Sequence, residues 1–250
     1  MKLSVLIPCY NEVETIREIV DQVRAVQIRL RVRNGKFARP VGADGMVEIV
    51  VEKEIVIVDD GSTDGTRDLL PQLGELPGVS VHYHARNLGK GAAVRTAIEQ
   101  ATGDVMLVQD ADLEYDPRDY PTLLQPIIEG RSQVVYGSRF LGGPRKAMFF
   151  THMVGNKLLT LFTNILFDTI LSDMETCYKV FTRPVAEQLR LKSHGWGFDP
   201  EITAKILKRG HRIYEVPISY AGREYNEGKK ISWRDGLTVM WTLLKYRLVE

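Results

Sequence analysis

Leu107-Val108-Gln109-Asp110-Ala111-Asp112 is the stretch on which the reading of this chain turns. An apolar run stops abruptly at two carboxylates one residue apart. Just beyond a strand, that spacing lets both acids turn toward one hard cation. A divalent metal with oxygen ligands keeps several waters and recruits substrate phosphates. The stretch therefore points to a metal held against a diphosphate. Alone, it also reads as a strand followed by a polar turn, so the surrounding sequence has to decide.

Outward from it, short apolar runs alternate with helical patterns. Strands are expected at residues 3–7, 54–58, 79–84, 104–108 and 133–136, and helices at 12–26, 64–73, 89–101 and 119–129. In the first helix Ile16, Ile19, Val20 and Val23 recur on one face. Such alternation builds βαβ units on a mostly parallel central sheet flanked by helices, an α/β class. Residues 28–52 break the rhythm: Arg29-Leu30-Arg31-Val32-Arg33 alternates, Asn34-Gly35 is a turn signal, and 46–51 is again strand-like. This predicts a hairpin-like insertion at the sheet's edge, its basic residues on a solvated strand face.

The last third, residues 149–250, changes character. A helix is expected over 149–167, with Leu158, Leu161, Phe162, Ile165 and Leu166 as a broad apolar face and Thr160, Asn164 and Asp168 opposite. A strand at 177–181, helices near 185–191 and 200–209, and a strand at 212–216 follow. The final helix, about 233–248, spaces Trp233, Leu237, Met240, Trp241 and Leu244 along one side. With no internal repeat, low-complexity tract or flexible linker, residues 1–250 read as a single domain.

Composition sets bounds. The 250 residues are 44% hydrophobic and 26% charged, enough for a sizeable core. A formal net charge of +1 supplies no global field toward nucleic acid, and none is expected as a partner. Cys9 and Cys177 make no disulfide framework, so a reducing, cytoplasmic setting is expected. The apolar run after Met1-Lys2 is too short for a signal peptide, and no run of about 18 apolar residues predicts a membrane span.

Ligands of open parallel sheets sit beyond the carboxyl ends of the strands. Three charged motifs fall at such ends: Pro8-Cys9-Tyr10-Asn11-Glu12, Asp59-Asp60-Gly61-Ser62-Thr63-Asp64-Gly65 and Asp110-Ala111-Asp112. Like charges on one rim repel unless cations or hydrogen-bond donors compensate. Asn11 and Asp64 individually also read as helix N-caps; three such motifs together favour a shared site.

These segments resemble family 2 glycosyltransferases of the GT-A (nucleotide-diphospho-sugar transferase) fold, and most of all the polyprenyl-phosphate branch that includes dolichyl-phosphate mannose synthase. Asn87-Leu88-Gly89-Lys90-Gly91, Gly137-Ser138-Arg139, Ser172-Asp173, Glu215-Val216-Pro217-Ile218 and the segment from Arg223 to Lys229 extend the match to nearly the whole chain outside 28–52. The resemblance implies an inverting transferase that uses Mg²⁺ or Mn²⁺ and a GDP- or UDP-sugar. Pro8, Tyr10, Glu12, Ile57 and Asp59 would surround base and ribose. Asp110 and Ala111 would face ribose and diphosphate, and Asp112, with Asp110 and Glu114, would ligate the metal. Arg139, Arg223 and Lys229 would meet phosphate oxygens of donor or acceptor, and Asp173 would lie near the sugar or the acceptor phosphate. Asp112, Arg139 and Asp173 are thus the catalytic candidates, and 149–250 the acceptor side.

The residue types suit that chemistry. Arginine offers a planar fork to phosphate oxygens, and lysine acts as a movable point charge. Gly222 and Gly228 bracket the segment of Arg223 in the manner of a phosphate-covering lid. The apolar 149–171 segment, and Trp233 and Trp241 beside Lys230, Arg234, Lys245 and Arg247, suit a headgroup interface and peripheral contact at the cytoplasmic membrane face. Core packing with a basic solvent face fits the same residues. His82 and His84 have no evident partner, Gly89-Lys90-Gly91 lacks full P-loop spacing, and Cys9 shows no sign of an activated thiolate. Two other functions share the class: transfer to a soluble or polysaccharide acceptor, and a non-catalytic nucleotide-sugar-binding scaffold.

Overall fold

The computed structural model describes residues 1–32, 46–146, 148–222 and 233–249. Its elements run β1 (Lys2–Cys9), α1 (Ile16–Ala25), β2 (Arg29–Val32), β3 (Val47–Val50), β4 (Glu52–Asp59), α2 (Thr66–Gly74), β5 (Val79–Tyr83) and α3 (Lys90–Gln100). They continue with β6 (Val105–Val108), α4 (Tyr120–Ile128), β7 (Val134–Ser138), α5 (Phe150–Phe167), β8 (Lys179–Thr182), α6 (Arg183–Gln188), α7 (Phe198–Lys208), β9 (Ile213–Pro217) and α8 (Trp233–Leu248).

The main sheet has seven strands in the order β5-β4-β1-β6-β8-β7-β9, all parallel except β8. Its central strands read as unbroken apolar runs because both faces are covered: Leu3, Val5, Leu6 and Ile7 of β1 are buried, as is every residue of β6. β8 runs against its neighbours, so the loop leading into it at Lys179 starts from the rim where β6 and β7 end.

The insertion pairs as a hairpin would, with β2 antiparallel to β3. It forms a separate two-stranded sheet and does not extend the edge of the main one. The reason is topological: β3 leads directly into β4, whose two sides are already bonded to β1 and β5. Val32 and Ile49 join the core, and Arg29 and Arg31 are exposed. The Asn34-Gly35 turn lies outside the described residues.

α5 is turned relative to the expected face. Thr160 and Thr163 are buried, whereas Leu158, Leu161 and Ile165 are exposed, Ile165 at 71%. Backbone satisfaction accounts for the rotation. α5 packs on the loop that follows it, whose polar groups need partners. Thr160 accepts from the Met174 N–H at 3.1 Å, and the Asn164 amide bonds both the N–H (2.8 Å) and the carbonyl (2.9 Å) of Leu171. Phe162 and Leu166 keep a flank of the expected face in contact with Leu171, Met174, Val239 and Leu243. α8 behaves likewise: Val239, Leu243 and Tyr246 are buried, while Leu237, Met240, Trp241 and Leu244 face outward. No helix among the described residues is long and apolar enough to cross a membrane.

Candidate active site

The three acidic motifs stand on adjacent strands, because β4, β1 and β6 are neighbours in the sheet. At a strand spacing of about 4.8 Å, the outer two tips lie roughly 10 Å apart. The first two motifs are stapled together. The Asn11 N–H donates to Ser62 Oγ (3.0 Å) and Glu12 N–H to Thr66 Oγ1 (2.8 Å), while Thr63 N–H donates to Asn11 Oδ1 (2.9 Å). Asn11 takes a left-handed φ of 56° to do so. Asp64 accepts from the Thr66 N–H at 2.9 Å and, across the two tips, from the Val13 N–H at 3.2 Å. Pro8 and Tyr10 lie on this same tip, and Ile57 is buried in β4 just below it. Burial, with the Asp59, Glu12 and Asp64 carboxylates nearby, pushes the Cys9 thiol up, so no thiolate chemistry attaches to it.

Asp59 is fully buried and already engaged: Arg67 Nε donates to Oδ2 at 2.8 Å, and the Gly61 and Ser62 N–H groups point at the two oxygens from 3.3 Å. Asp60 holds the neighbouring loop by accepting from the N–H groups of Leu88 (2.9 Å) and Gly89 (2.7 Å) and bonding His84 Nδ1 (2.7 Å). This gives His84 a partner that sequence alone did not reveal. Gly61 is required where this loop passes over: a Cβ there would sit 2.6 Å from Arg86 backbone, at a φ of +78°.

That loop delivers Lys90 to the third tip. Lys90 Nζ contacts Asp110 Oδ1 at 2.7 Å and Oδ2 at 3.0 Å. Burial disfavours both charges, yet the pairing prevails: the Lys90 ammonium is held well above its ordinary range and Asp110 below its own. Gln109 fixes the turn from beneath, its Oε1 accepting from Tyr120 and Tyr178 hydroxyls at 2.8 Å each. Asp112 Oδ1 accepts from the Glu114 N–H at 3.1 Å, and Glu114 Oε2 accepts from the Tyr220 hydroxyl at 2.9 Å. Among the described residues no three metal-ligating side chains are gathered into a ready-made cluster. The donor set nevertheless fits a hard cation: Asp112 and Asp110 offer oxygens on one rim, and Mg²⁺ needs only one or two carboxylates beside waters and phosphates.

Arg139 and Asp173, 34 residues apart, meet in a bidentate pair with both bonds at 2.7 Å. The Arg139 N–H (3.1 Å) and the Asn156 amide (3.1 Å) complete the carboxylate's shell. Against burial, this pairing holds Asp173 below the usual carboxylate range and Arg139 well above its own. The Arg139 guanidinium also lies 5.2 Å over the Tyr220 ring. Glu215 supports the loop from below through the N–H groups of Ser172 and Asp173. Beside it stands Glu175, whose carboxyl is pushed up to about 8 by burial and by Asp199, with Lys179 and Arg139 opposing.

This is a carboxylate rim with fixed cations, at the end of a sheet suited to a phosphate-bearing ligand, and comparison with known proteins says whose it is. The model of "Glycosyl transferase family 2" matches residues 4–190. The chain belongs to that family. It is 30% identical over 223 residues to glycosyltransferase AglJ of Haloferax volcanii, covering 88% of this chain and 63% of that protein. It is 28% identical to the hexosyltransferase Agl6 of the same organism, spanning 99% of this chain but 53% of Agl6. The undecaprenyl-phosphate mannosyltransferase of Micrococcus luteus is 27% identical, with 99% of both chains covered. In solved structures the fold matches glucosyl-3-phosphoglycerate synthase of Mycobacterium tuberculosis, seen with Mn²⁺, UDP and glucosyl-3-phosphoglycerate, at a TM-score of 0.68 and 20% identity, covering 100% of this chain and 81% of that one. The α/β, GT-A assignment and the enzyme class of this family 2 glycosyltransferase therefore stand.

Within that family frame, Pro8, Tyr10, Glu12, Asp59, Asp110, Ala111, Asp112 and Glu114 all fall on three neighbouring strand tips or the turn beyond them, and Arg139 with Asp173 on the next part of the rim. Arg223 and Lys229 lie outside the described residues. Lys90, Gln109 and Glu175 are the residues sequence reasoning undervalued. Gly89-Lys90-Gly91 at the head of a helix carried a usable signal for Lys90; nothing local marked Glu175.

Proposed function

We propose that the protein is an inverting, metal-dependent transferase moving a hexose from a GDP- or UDP-sugar to a polyprenyl phosphate. That the Asp59, Asp110 and Asp112 tips share one sheet rim with the Arg139–Asp173 pair carries the reading. The full-length match to a mannosyltransferase named for undecaprenyl phosphate supports the lipid-phosphate acceptor.

In this reading Pro8, Tyr10, Glu12, Ile57 and Asp59 form the nucleoside pocket, with Asp59 shared between Arg67 and the base edge. Asp112, with Asp110 and Glu114, holds Mg²⁺ or Mn²⁺. When bound, the ion stabilises charge developing on the departing diphosphate. Lys90 keeps Asp110 ionised and oriented. Arg139, preset by Asp173, presents its remaining N–H groups to a phosphate oxygen, and Arg223 and Lys229 add charge from the segment after Gly222. The acceptor phosphate oxygen attacks the anomeric carbon as the bond from that carbon to the diphosphate oxygen breaks on the opposite face. A phosphate dianion is already nucleophilic at neutral pH, so no general base is required; an alcohol acceptor would need one.

The test supplies labelled GDP-mannose or UDP-glucose with Mn²⁺, with and without a short-chain polyprenyl phosphate. Formation of a lipid-phosphate sugar is the expected product. Equal transfer to a soluble acceptor, or tight nucleotide-sugar binding without any transfer or release of nucleoside diphosphate, would overturn the acceptor or the catalytic reading respectively.

A further inference from the structure

The loop of residues 173–177 joins two parts of the rim. At one end Asp173 holds Arg139. At the other, Cys177 reaches the strand and turn of Asp110 and Asp112: its Sγ lies 3.8 Å from the Val108 carbonyl, and its N–H donates to the Tyr115 hydroxyl at 3.1 Å. Glu175 is midway between them in the chain. In the proposed reaction the diphosphate sits at the Asp110–Asp112 end and the acceptor phosphate at the Arg139 end. The hexose then lies between the two, on the stretch of rim that Glu175 occupies.

The Glu175 carboxyl is left over when its neighbours have paired. Asp59, Asp110 and Asp173 each have a cation. The cations beside Glu175 are already spent. Lys179 has three N–H groups, and they go to Asp199 Oδ1 at 2.6 Å and to the carbonyls of Met174 and Thr176. Arg139 turns its fork to Asp173. Among the described residues Glu175 Oε1 is buried with no hydrogen-bond partner, although the residue as a whole is partly open to solvent. Native structures rarely leave such an atom unsatisfied. Its place midway along the transfer path points to a ligand that completes it.

We propose that the Glu175 carboxyl binds hydroxyl groups of the transferred hexose and so decides which nucleotide sugar is used. The chemistry of the group fits that ligand. Burial and the nearby Asp199 push its pKa up to about 8, so at neutral pH it is mostly protonated. A protonated carboxyl offers one O–H donor besides acceptor oxygens. A sugar hydroxyl also donates and accepts, so the two exchange hydrogen bonds in both senses. An ionised carboxylate in that place would repel the phosphates on either side. A neutral acid holds the uncharged part of the donor without opposing its charged parts. The inference rests on the proposed transferase reading for the identity of the ligand, and deepens it by naming the residue that reads the sugar.

The test is calorimetric titration of wild type, Glu175→Ala and Glu175→Gln with Mn²⁺ present. The probes are GDP, GDP-mannose and its monodeoxymannose analogues, and UDP, UDP-glucose and its monodeoxyglucose analogues. In the series whose nucleotide binds, wild type is expected to lose at least about fivefold in affinity when one particular hydroxyl is removed. Glu175→Ala should lose a similar factor for the parent sugar and nothing further for that analogue, because the two changes delete one interaction. Glu175→Gln keeps the shape and both bonding senses; it should narrow the parent-to-analogue ratio without erasing it, and it carries the test if the alanine variant does not fold. The free nucleoside diphosphate should bind all three proteins alike. Variants that discriminate among the analogues as wild type does overturn the inference. So does an equal loss for nucleoside diphosphate and nucleotide sugar, which marks a structural role, or an effect confined to the KM of the polyprenyl phosphate. A wild type that binds neither nucleotides nor nucleotide sugars overturns the transferase reading as well.

Discussion

Replacing Asp173 with Asn removes one charge from the bidentate pair and almost nothing from its volume. The Asp173 side chain is fully buried and that of Arg139 is 12% exposed. Removing one partner of such a pair leaves the other charge buried without compensation, which costs about 3–5 kcal/mol. The Asn carbonyl still accepts one bond while its amide faces the guanidinium, so the lower end, about 3 kcal/mol, is expected. For a chain of this size that is a fall in thermal midpoint of about 6–12 °C. The assay is thermal unfolding of wild type, Asp173→Asn, Arg139→Met and the double variant. The double variant should be less destabilised than the sum of the singles, because the orphaned charge has gone. Additivity within about 0.5 kcal/mol would refute the pairing as the source of stability. Because folding depresses the Asp173 pKa, its contribution is fully present above the unfolded value of about 3.9 and is lost as pH falls through the folded value. Asp173→Asn should therefore remove part of the wild-type loss of stability in acid.

Asp112→Asn should nearly abolish transfer while the fold survives, since Asn keeps the side chain's shape and an oxygen that accepts from the Glu114 N–H at 3.1 Å; wild-type turnover by the variant with metal chelated would refute the metal role. Gly89→Ala should destabilise by about 1–3 kcal/mol in denaturant unfolding, because φ is +94° and a Cβ would collide with the His194 carbonyl; a midpoint equal to wild type would show that the loop can shift. Burial and the nearby Asp199 push the Glu175 carboxyl up to about 8 from its ordinary 4.5, so it binds a proton in the native state that the unfolded chain releases, and stability should decline as pH rises between those values. Glu175→Gln should flatten that decline in a pH series of unfolding midpoints, and an unaltered slope would count against the assignment.

What could be read from the sequence was what repeats locally. Buried parallel strands carry unbroken apolar runs, so β1, β4 and β6 and the acids at their tips were legible, and a parallel α/β sheet implies that such tips share one rim. The turned face of α5 was not legible. Periodicity gives the angle between polar and apolar stripes but not which of them meets water, and here the partner is the loop of Leu171 and Met174, whose N–H groups require Thr160 and Asn164. Nor were the pairings Lys90–Asp110, Arg139–Asp173 and Lys179–Asp199 legible, since each joins residues set side by side by the tertiary fold. The antiparallel course of β8 is the hidden step that brings the loop of Asp173 and Glu175 to the rim.

Those pairings bear on how the site takes its ligand. Asp59 is matched by Arg67, Asp110 by Lys90 and Asp173 by Arg139, so three of the rim carboxylates already have cations before any ligand arrives. Asp112 and Glu114 add further acid beside them. A nucleoside diphosphate brings still more negative charge to the same few ångströms, and at such separations like charges repel strongly unless compensated. A divalent cation arriving with the ligand, together with Arg223 and Lys229, is the expected compensation for the diphosphate. Gly222, the last described residue before those two, follows Ala221, whose N–H donates to the Glu114 carbonyl at 2.9 Å. Residues 221–222 therefore lie beside the acidic turn. Neutralising Arg223 and Lys229 together should weaken nucleoside diphosphate binding in a thermal-shift titration with Mn²⁺ by more than either change alone. Unchanged binding would place the whole of the compensation on the metal.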